Sequence, residues 1–83
     1  MTKNEILSSD IEVRITAAGN PNTPAEALAE LAKDSDCDVR YYVAGNPNTP
    51  VDVLVELAKD SDRDVRMNAA GNPKLKEVLT DKK

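Results

Sequence analysis

The sequence predicts an all-α solenoid, a stack of short helical repeats, and three observations lead to that prediction. First, the chain of 83 residues repeats itself with a period of 26 residues. Second, apolar residues within each copy recur at the spacing of an amphipathic helix. Third, Ala, Val and Leu supply most of the apolar content, while Phe and Trp are absent and Tyr occurs twice. Self-similarity at this period is typical of solenoids, in which each unit packs on its neighbours.

Two complete copies of the repeat follow one another. They read IEVRITAAGNPNTPAEALAELAKDSD and CDVRYYVAGNPNTPVDVLVELAKDSD, with 17 identities in 26 aligned positions. A third copy keeps the pattern as far as Pro73 and then departs from it. We therefore expect one domain over residues 1–83, made of an N-terminal partial repeat or cap (1–10), repeat 1 (11–36), repeat 2 (37–62), and a partial repeat with a C-terminal cap (63–83).

The second helix of each complete copy has the clearer start. Thr23-Pro24 and Thr49-Pro50 are each followed by an acidic residue two positions after the proline. We predict Thr as the N-cap and Pro as the first helical residue. Leucines and an alanine then recur at positions i, i+3 and i+4, and an Asp-Ser-Asp turn follows.

The first helix of each copy is predicted to be the shorter one, of two turns at most, and the sequence leaves open whether it is α or 3₁₀. Asp10, Asp36 and Asp62 are its expected N-caps. A Gly-Asn-Pro sequence is expected to end the helix. Gly would take the left-handed conformation, and the residue before Pro would leave helical geometry.

The pattern Val-Arg-x-x-x-Ala-Gly-Asn-Pro-Asn-Thr-Pro-x-x-x-Leu-x-x-Leu-Ala-x-Asp resembles the leucine-rich repeat variant family. The resemblance covers residues 9 to about 79 and implies a right-handed superhelix of alternating α and 3₁₀ helices. The Asp-x-Asp-Val-Arg part is also similar to HEAT repeats, which are α-solenoids with a longer first helix. One member of the variant family carries an iron–sulfur module on a cysteine cluster. Because Cys37 stands alone here, we expect no such cluster and no cofactor.

Composition excludes several classes of function. The chain has no His and one Cys, so we expect neither an enzyme with a nucleophile–base pair nor a zinc site. Its formal net charge of −4 argues against direct binding of nucleic acid. Segments 34–38 and 60–64 begin like calcium loops, but they lack the Gly and Glu that an EF-hand needs. Helix capping accounts for their acids, and we expect no metal site.

Two columns of polar residues occupy the same position in every copy, which favours a structural role. We expect the arginines to form a ladder along the stack, not a basic binding stripe, with each one bonding an acid or a carbonyl of the next unit. We expect the asparagines to bond backbone groups between repeats. The columns are Arg14, Arg40 and Arg66, and Asn20, Asn46 and Asn72.

Positions that differ between copies are free to face a partner, and the central repeat carries the bulkier residues there. Tyr41 and Tyr42, the only aromatic residues, lie at two such positions. Neighbouring helix positions diverge by about 100°, so we expect at least one ring at the surface. The valines of the same repeat would equally serve to fill the core. The predicted partner-binding residues are Tyr41, Tyr42, Val51, Asp52 and Val55.

We therefore expect a non-enzymatic protein-interaction module that binds a protein partner through its central repeat. One alternative is a self-associating structural protein, a homo-oligomer that buries the ends of the stack. Another is a small acidic inhibitor that covers a basic nucleic-acid-binding surface of a second protein. No apolar run has the length of a membrane span or of a signal peptide core, so we expect no membrane partner and a cytoplasmic location.

Overall fold

The computed structural model describes residues 7–80, and the side chains of residues 7–77. This part of the chain contains six α-helices and no strand, which confirms the predicted all-α fold class. Residues 1–6 of the expected N-terminal cap and 81–83 of the expected C-terminal cap lie outside the described residues. The first helices of the three pairs are α1 (Ile11–Gly19), α3 (Cys37–Gly45) and α5 (Arg63–Ala70); the second helices are α2 (Ala25–Leu31), α4 (Val51–Leu57) and α6 (Pro73–Thr80).

The helices form two layers, and the three first helices make the continuous one. Helix α3 packs between α1 and α5. Each second helix of the complete repeats lies across a junction between first helices: α2 contacts α1 and α3, and α4 contacts α3 and α5. Helix α6 packs on α4 and α5. Successive repeats are therefore joined through both layers, as in a solenoid. Within residues 7–80, no helix is both long enough and apolar enough to cross a membrane.

The core lies between the two layers and is built from small and medium-sized aliphatic side chains. Alanines near the ends of the first helices let neighbouring helices approach closely, so this thin core leaves little room for larger rings. The buried hydrophobic residues in the described part are Ala17, Ala18, Ala27, Leu28, Leu31, Val39, Val43, Ala44, Leu54, Leu57, Val65, Ala69 and Leu75.

Each first helix begins after an aspartate, as predicted. Oδ1 of Asp36 accepts a hydrogen bond of 2.8 Å from the backbone N–H two residues later. Asp10 and Asp62 cap α1 and α5 in the same way, at 2.9 and 2.8 Å. Each carboxylate thereby satisfies a backbone donor that the first turn of a helix leaves without an intrahelical partner.

The predicted length of the first helices is wrong, and their geometry, which the sequence left open, is α-helical. Helices α1 and α3 have nine residues each, whereas α2 and α4 have seven, and all four are α-helical. Helices α1 and α3 continue through Gly19 and Gly45, and no glycine of the described chain has a positive φ. Both helices stop at an asparagine, Asn20 or Asn46, which precedes a proline and has an extended backbone. The left-handed glycine is therefore also a wrong prediction.

Gly45 permits close packing between repeats. A Cβ atom at this position would lie 2.7 Å from Nδ2 of Asn68 on the neighbouring first helix. A side chain here would displace the Asn68 amide, so glycine contributes space at this position and not an unusual backbone conformation.

The second helices also start differently from the prediction. The N-cap position belongs to the proline of each Thr-Pro pair, and the preceding threonine is buried. The hydroxyls of Thr23 and Thr49 donate hydrogen bonds of 2.7 Å to the carbonyls of Ala17 and Val43. These carbonyls lie in the last turn of the first helix, where backbone carbonyls lack an N–H partner within the helix. Threonine thus fixes the turn between the two helices of a repeat.

The third copy lacks the Asn-Thr-Pro element, and its second helix starts at once. Helix α6 begins at Pro73 itself, and Oδ1 of Asn72 accepts a hydrogen bond of 2.9 Å from the Lys74 N–H. Proline suits the first helical position because its missing N–H would have no intrahelical partner there.

Candidate functional site

The asparagine column joins successive repeats. Nδ2 of Asn46 donates hydrogen bonds to the carbonyls of Ala18 and Asn20 in the preceding repeat, at 2.7 and 2.9 Å. Asn72 makes the corresponding pair of bonds to the central repeat, at 2.8 and 3.1 Å. Both residues are 2% exposed, so they supply donors to carbonyls that water reaches poorly. Asn20 is half-buried, and its Oδ1 accepts from the Asn22 N–H at 2.9 Å.

The arginine column connects the start of a first helix with the turns at the ends of two repeats. Nε and Nη2 of Arg40 donate to the two carboxylate oxygens of Asp60 at 2.8 and 3.0 Å. Nη1 of Arg40 donates to the carbonyls of Asp34 and Ser35 at 2.9 and 3.2 Å. The expectation that the arginine bonds an acid or a carbonyl of the next unit is therefore corrected. The acid belongs to the arginine's own repeat, because the turn after α4 returns to the start of α3, and the carbonyls belong to the preceding repeat.

The outer members of the arginine column share this arrangement in part. Arg14 donates to Asp34 at 2.7 Å and to the carbonyl of Ser8 at 2.8 Å. Arg66 donates to the carbonyls of Asp60 and Ser61 at 2.8 and 3.1 Å. Among the described hydrogen bonds, Arg40 alone of the three donates to both oxygens of a carboxylate and to two carbonyls.

The contact with Arg40 lowers the pKa of the Asp60 carboxyl. Partial desolvation opposes this shift, but hydrogen bonds from Arg40 and the Asp62 N–H, together with the charges of Arg40 and Arg66, outweigh it. A carboxyl whose pKa is lower in the folded state contributes stability above its unfolded value of about 4. That contribution is lost as the pH falls through the lowered, folded pKa.

We expect acid to destabilise the wild-type protein more steeply than the Asp60→Asn variant. Urea unfolding followed by circular dichroism, from about pH 5 down to about pH 2, measures both slopes. Asp60→Asn is expected to be the less stable protein at neutral pH and to show the flatter decline, because its side chain does not titrate. Parallel declines in the two proteins would show that Asp60 contributes nothing to the acid sensitivity.

Tyr41 and Tyr42 lie side by side on the exposed side of the first-helix layer. Their rings meet edge to face with centroids 5.3 Å apart, and the two residues are 38% and 45% exposed. Nδ2 of Asn68 donates to the Tyr41 carbonyl at 2.8 Å, which ties the backbone beneath the rings to α5. Met67 of α5 is 59% exposed. This layer thus carries three of the five large hydrophobic residues exposed in the described chain, the others being Leu7 and Val55.

The tyrosines line two adjoining depressions, which together we call the tyrosine groove. The depressions enclose about 310 and 420 Å³ and share Tyr41 and Asp64. Their apolar lining reaches from α1 to α5. The tyrosine groove is lined by Ile15, Cys37, Asp38, Tyr41, Tyr42, Asp62, Asp64, Met67 and Asn68.

The rim of the tyrosine groove is acidic. Asp38, Asp62 and Asp64 contribute carboxylates to its lining, and no Lys or Arg does. Oδ1 of Asp62 is engaged in capping α5, whereas no hydrogen bond to the carboxylate of Asp38 or Asp64 is found within residues 7–77. Partial desolvation, a hydrogen bond to Asp62 and the nearby carboxylates raise the pKa of the Cys37 thiol. The charged side chains that line the groove are therefore all carboxylates.

The five residues predicted as one partner-binding site are divided between the two layers. Val51, Asp52 and Val55 lie on α4 and do not line the tyrosine groove. Val51 packs against the core, which is the core-filling role left open for the valines. Asp52 lines a separate depression of about 430 Å³ between α2 and α4. The structure therefore brings together only the two tyrosines of the predicted set.

The predicted partner-binding set names none of the acidic side chains of the tyrosine groove, although their signal is present in the sequence. Asp38 precedes Tyr41 by three residues, and Asp64 precedes Met67 by three. Residues three apart on a helix share a face, so Tyr41 and Met67 each have a carboxylate one turn before them. We interpreted these acids as part of the helix start and did not pair them with the variable positions.

A small acidic cluster at the start of α3 has a structural explanation. Ligand atoms of Asp36, Cys37 and Asp38 lie within 4.8 Å of one another. Oδ1 of Asp36 accepts the capping hydrogen bond of α3, and negative charge is favoured at a helix N-terminus. Capping thus explains why acids occur at this point of the repeat.

Comparison with known proteins identifies the repeat. A family model described as leucine rich repeat variant matches residues 11–36 and 38–62, almost the same bounds as the two complete repeats. No curated protein and no solved structure matched the chain. Repeats of this kind are generally protein-interaction repeats and are typically non-enzymatic. Because the matched segments make up more than half of its residues, the chain belongs to the leucine-rich repeat variant family.

Proposed function

We propose that the chain is a non-enzymatic protein-interaction module that docks a protein partner on the tyrosine groove. The observation that carries this proposal is the joint exposure of Tyr41, Tyr42 and Met67 on one layer of the solenoid. Tyrosine and methionine are enriched in the cores of protein interfaces, and tyrosine is common among the residues that dominate binding energy.

The scaffold beneath the tyrosine groove supports this proposal because it holds the rings in place before a partner arrives. Val39, Val43 and Ala44 of α3 are fully buried. The Tyr41 carbonyl is bonded to Asn68 of the next repeat. A surface built on a packed helix loses little conformational entropy on binding, so more of the interaction energy contributes to affinity.

The double variant Tyr41→Ala/Tyr42→Ala tests the proposal. Proteins captured from a native lysate on immobilised wild-type chain are expected to bind the double variant at least about tenfold more weakly, because two central aromatic side chains are lost. The matched control is Val55→Ala, since Val55 is 39% exposed, like Tyr41, but lies in the other layer. We expect this control to retain the captured proteins.

Two results would contradict the proposed site. One is equal capture by the wild type and the double tyrosine variant. The other is loss of capture in the Val55→Ala control. Urea unfolding of all three proteins checks that the variants are folded, and exposed positions are expected to change stability only slightly.

A further inference from the structure

We propose that the segment docking in the tyrosine groove is cationic, a stretch of protein chain whose Arg or Lys side chains enter between the rings and the carboxylates. This inference rests on the proposed function and adds the chemistry of the occupant. The groove combines two features that a cationic side chain recognises together. Its lining includes aromatic rings, and it includes carboxylates but no Lys or Arg.

The acids are placed where an incoming cation would meet them. Asp38 lies one helical turn before Tyr41 on α3, and Asp64 lies one turn before Met67 on α5. Asp64 also borders both depressions of the groove. Carboxylates therefore flank Tyr41 from its own helix and from the next repeat, so one guanidinium or ammonium group near this ring lies close to two negative charges.

The tyrosine rings add a second source of affinity for the same chemical group. The face of an aromatic ring attracts a cation, and a planar guanidinium can stack on the ring while it donates hydrogen bonds to a carboxylate. Both rings are more than one-third exposed, and their edge-to-face contact leaves them at 86° to each other. The two ring planes thus offer differently oriented surfaces to a chain that crosses the groove.

Charge also distinguishes the proposed occupant from the other candidates. Phosphate groups of a nucleic acid would be repelled by the three aspartates of the rim. A second copy of this chain carries the same net charge of −4, so copies repel one another at long range.

Fluorescence anisotropy with two synthetic peptides tests the inference. The first is a labelled peptide in which Arg alternates with Gly, and the second carries neutral citrulline in place of every Arg. We expect the wild-type chain to bind the arginine peptide at least about tenfold more tightly than the citrulline peptide at low salt. We expect this preference to shrink as salt is added.

Two charge variants show whether the groove causes that preference. Asp38→Asn/Asp64→Asn keeps the shape of the groove and leaves the capping carboxylate of Asp62 untouched. It is expected to bind the arginine peptide about tenfold more weakly. The control Asp52→Asn/Glu56→Gln removes the same charge from α4, in the other layer, and is expected to stay within about twofold of wild type.

The outcomes separate this inference from the proposed function. Equal binding of both peptides, or equal loss of binding in the two charge variants, overturns the cationic occupant. If partner capture needs the tyrosines while Asp38→Asn/Asp64→Asn captures normally, the groove binds proteins but its occupant is not cationic. If light scattering shows a dimer that the tyrosine variant abolishes, and the arginine peptide does not bind, a second copy is the occupant and the inference fails.

Discussion

Replacing Asn46 with alanine is expected to lower the free energy of unfolding by about 3 kcal/mol, since three hydrogen bonds of a buried side chain are lost. Nδ2 of Asn46 serves two carbonyls of the preceding repeat, and its Oδ1 accepts from the Asn48 N–H at 2.8 Å. Alanine would leave the Ala18 carbonyl and the Asn48 N–H without these partners, in a place where Asn46 is 2% exposed. The Asn20 carbonyl would keep its hydrogen bond from the Thr23 N–H. Urea unfolding followed by circular dichroism measures the difference.

The same change at the first member of the column provides the control. Asn20 is half-buried, and within residues 7–77 its side chain makes one hydrogen bond, to a backbone N–H of its own repeat. Asn20→Ala is therefore expected to lower the free energy of unfolding by no more than about 1 kcal/mol. Equal losses at the two positions would show that contacts between repeats do not explain the column.

Replacing Arg40 with alanine is expected to lower the free energy of unfolding by about 2 kcal/mol, because the change leaves a largely buried carboxylate unpaired. The side chains of Arg40 and Asp60 are 15% and 11% exposed, so water compensates only in part for the loss of the ion pair. The carbonyls of Asp34 and Ser35 lose their donor at the same time. The midpoint and slope of urea unfolding give the difference.

Arg66→Ala is the matched control for the arginine column. Arg66 donates to the same type of carbonyls but, among the hydrogen bonds described for it, none reaches a carboxylate. We expect Arg66→Ala to have less than half the effect of Arg40→Ala. A loss as large as that of Arg40→Ala would mean that the carbonyl contacts, not the ion pair with Asp60, stabilise the turn.

The repeat period and the capping aspartates made the fold predictable from the sequence. Self-similarity over 26 residues defines units that pack on their copies, and Asp10, Asp36 and Asp62 mark the helix starts because aspartate binds free N–H groups. Both signals depend on residues close together in the chain. For this reason they predicted the helical architecture without any knowledge of contacts between repeats.

Local rules were wrong where contacts between the two helices of a repeat, or between repeats, determine the structure. Thr23 has the sequence context of an N-cap, but its hydroxyl binds the end of the preceding helix. Gly45 has the context of a left-handed helix end, but it remains helical and makes room for Asn68. The conformation at both positions depends on a contact with another helix. Sequence spacing alone does not show which helices will be in contact.

The sequence predicted the two tyrosines of the candidate site but not its other residues. Tyr41 and Tyr42 stood out because they are the only aromatic residues and lie at variable positions. Val51 and Val55 do not line the tyrosine groove, because the two helices of one repeat lie in different layers. The acidic rim comes from α3 and α5 together, so the stacking of the first helices is what joins these carboxylates into one surface.

Alkylation of Cys37 tests most directly whether the tyrosine groove is the docking surface. Cys37 is the only cysteine of the chain, is exposed and lines the groove, so its modification reports on one place. Iodoacetamide is suitable because it is uncharged, so the acidic rim neither attracts nor repels it. Because desolvation and the nearby carboxylates raise the pKa of the thiol, the rate is followed as a function of pH and compared per thiolate. We predict that a saturating amount of captured partner or arginine peptide slows the alkylation several-fold. An unchanged rate at saturation would show that the partner binds elsewhere and would contradict the proposed site.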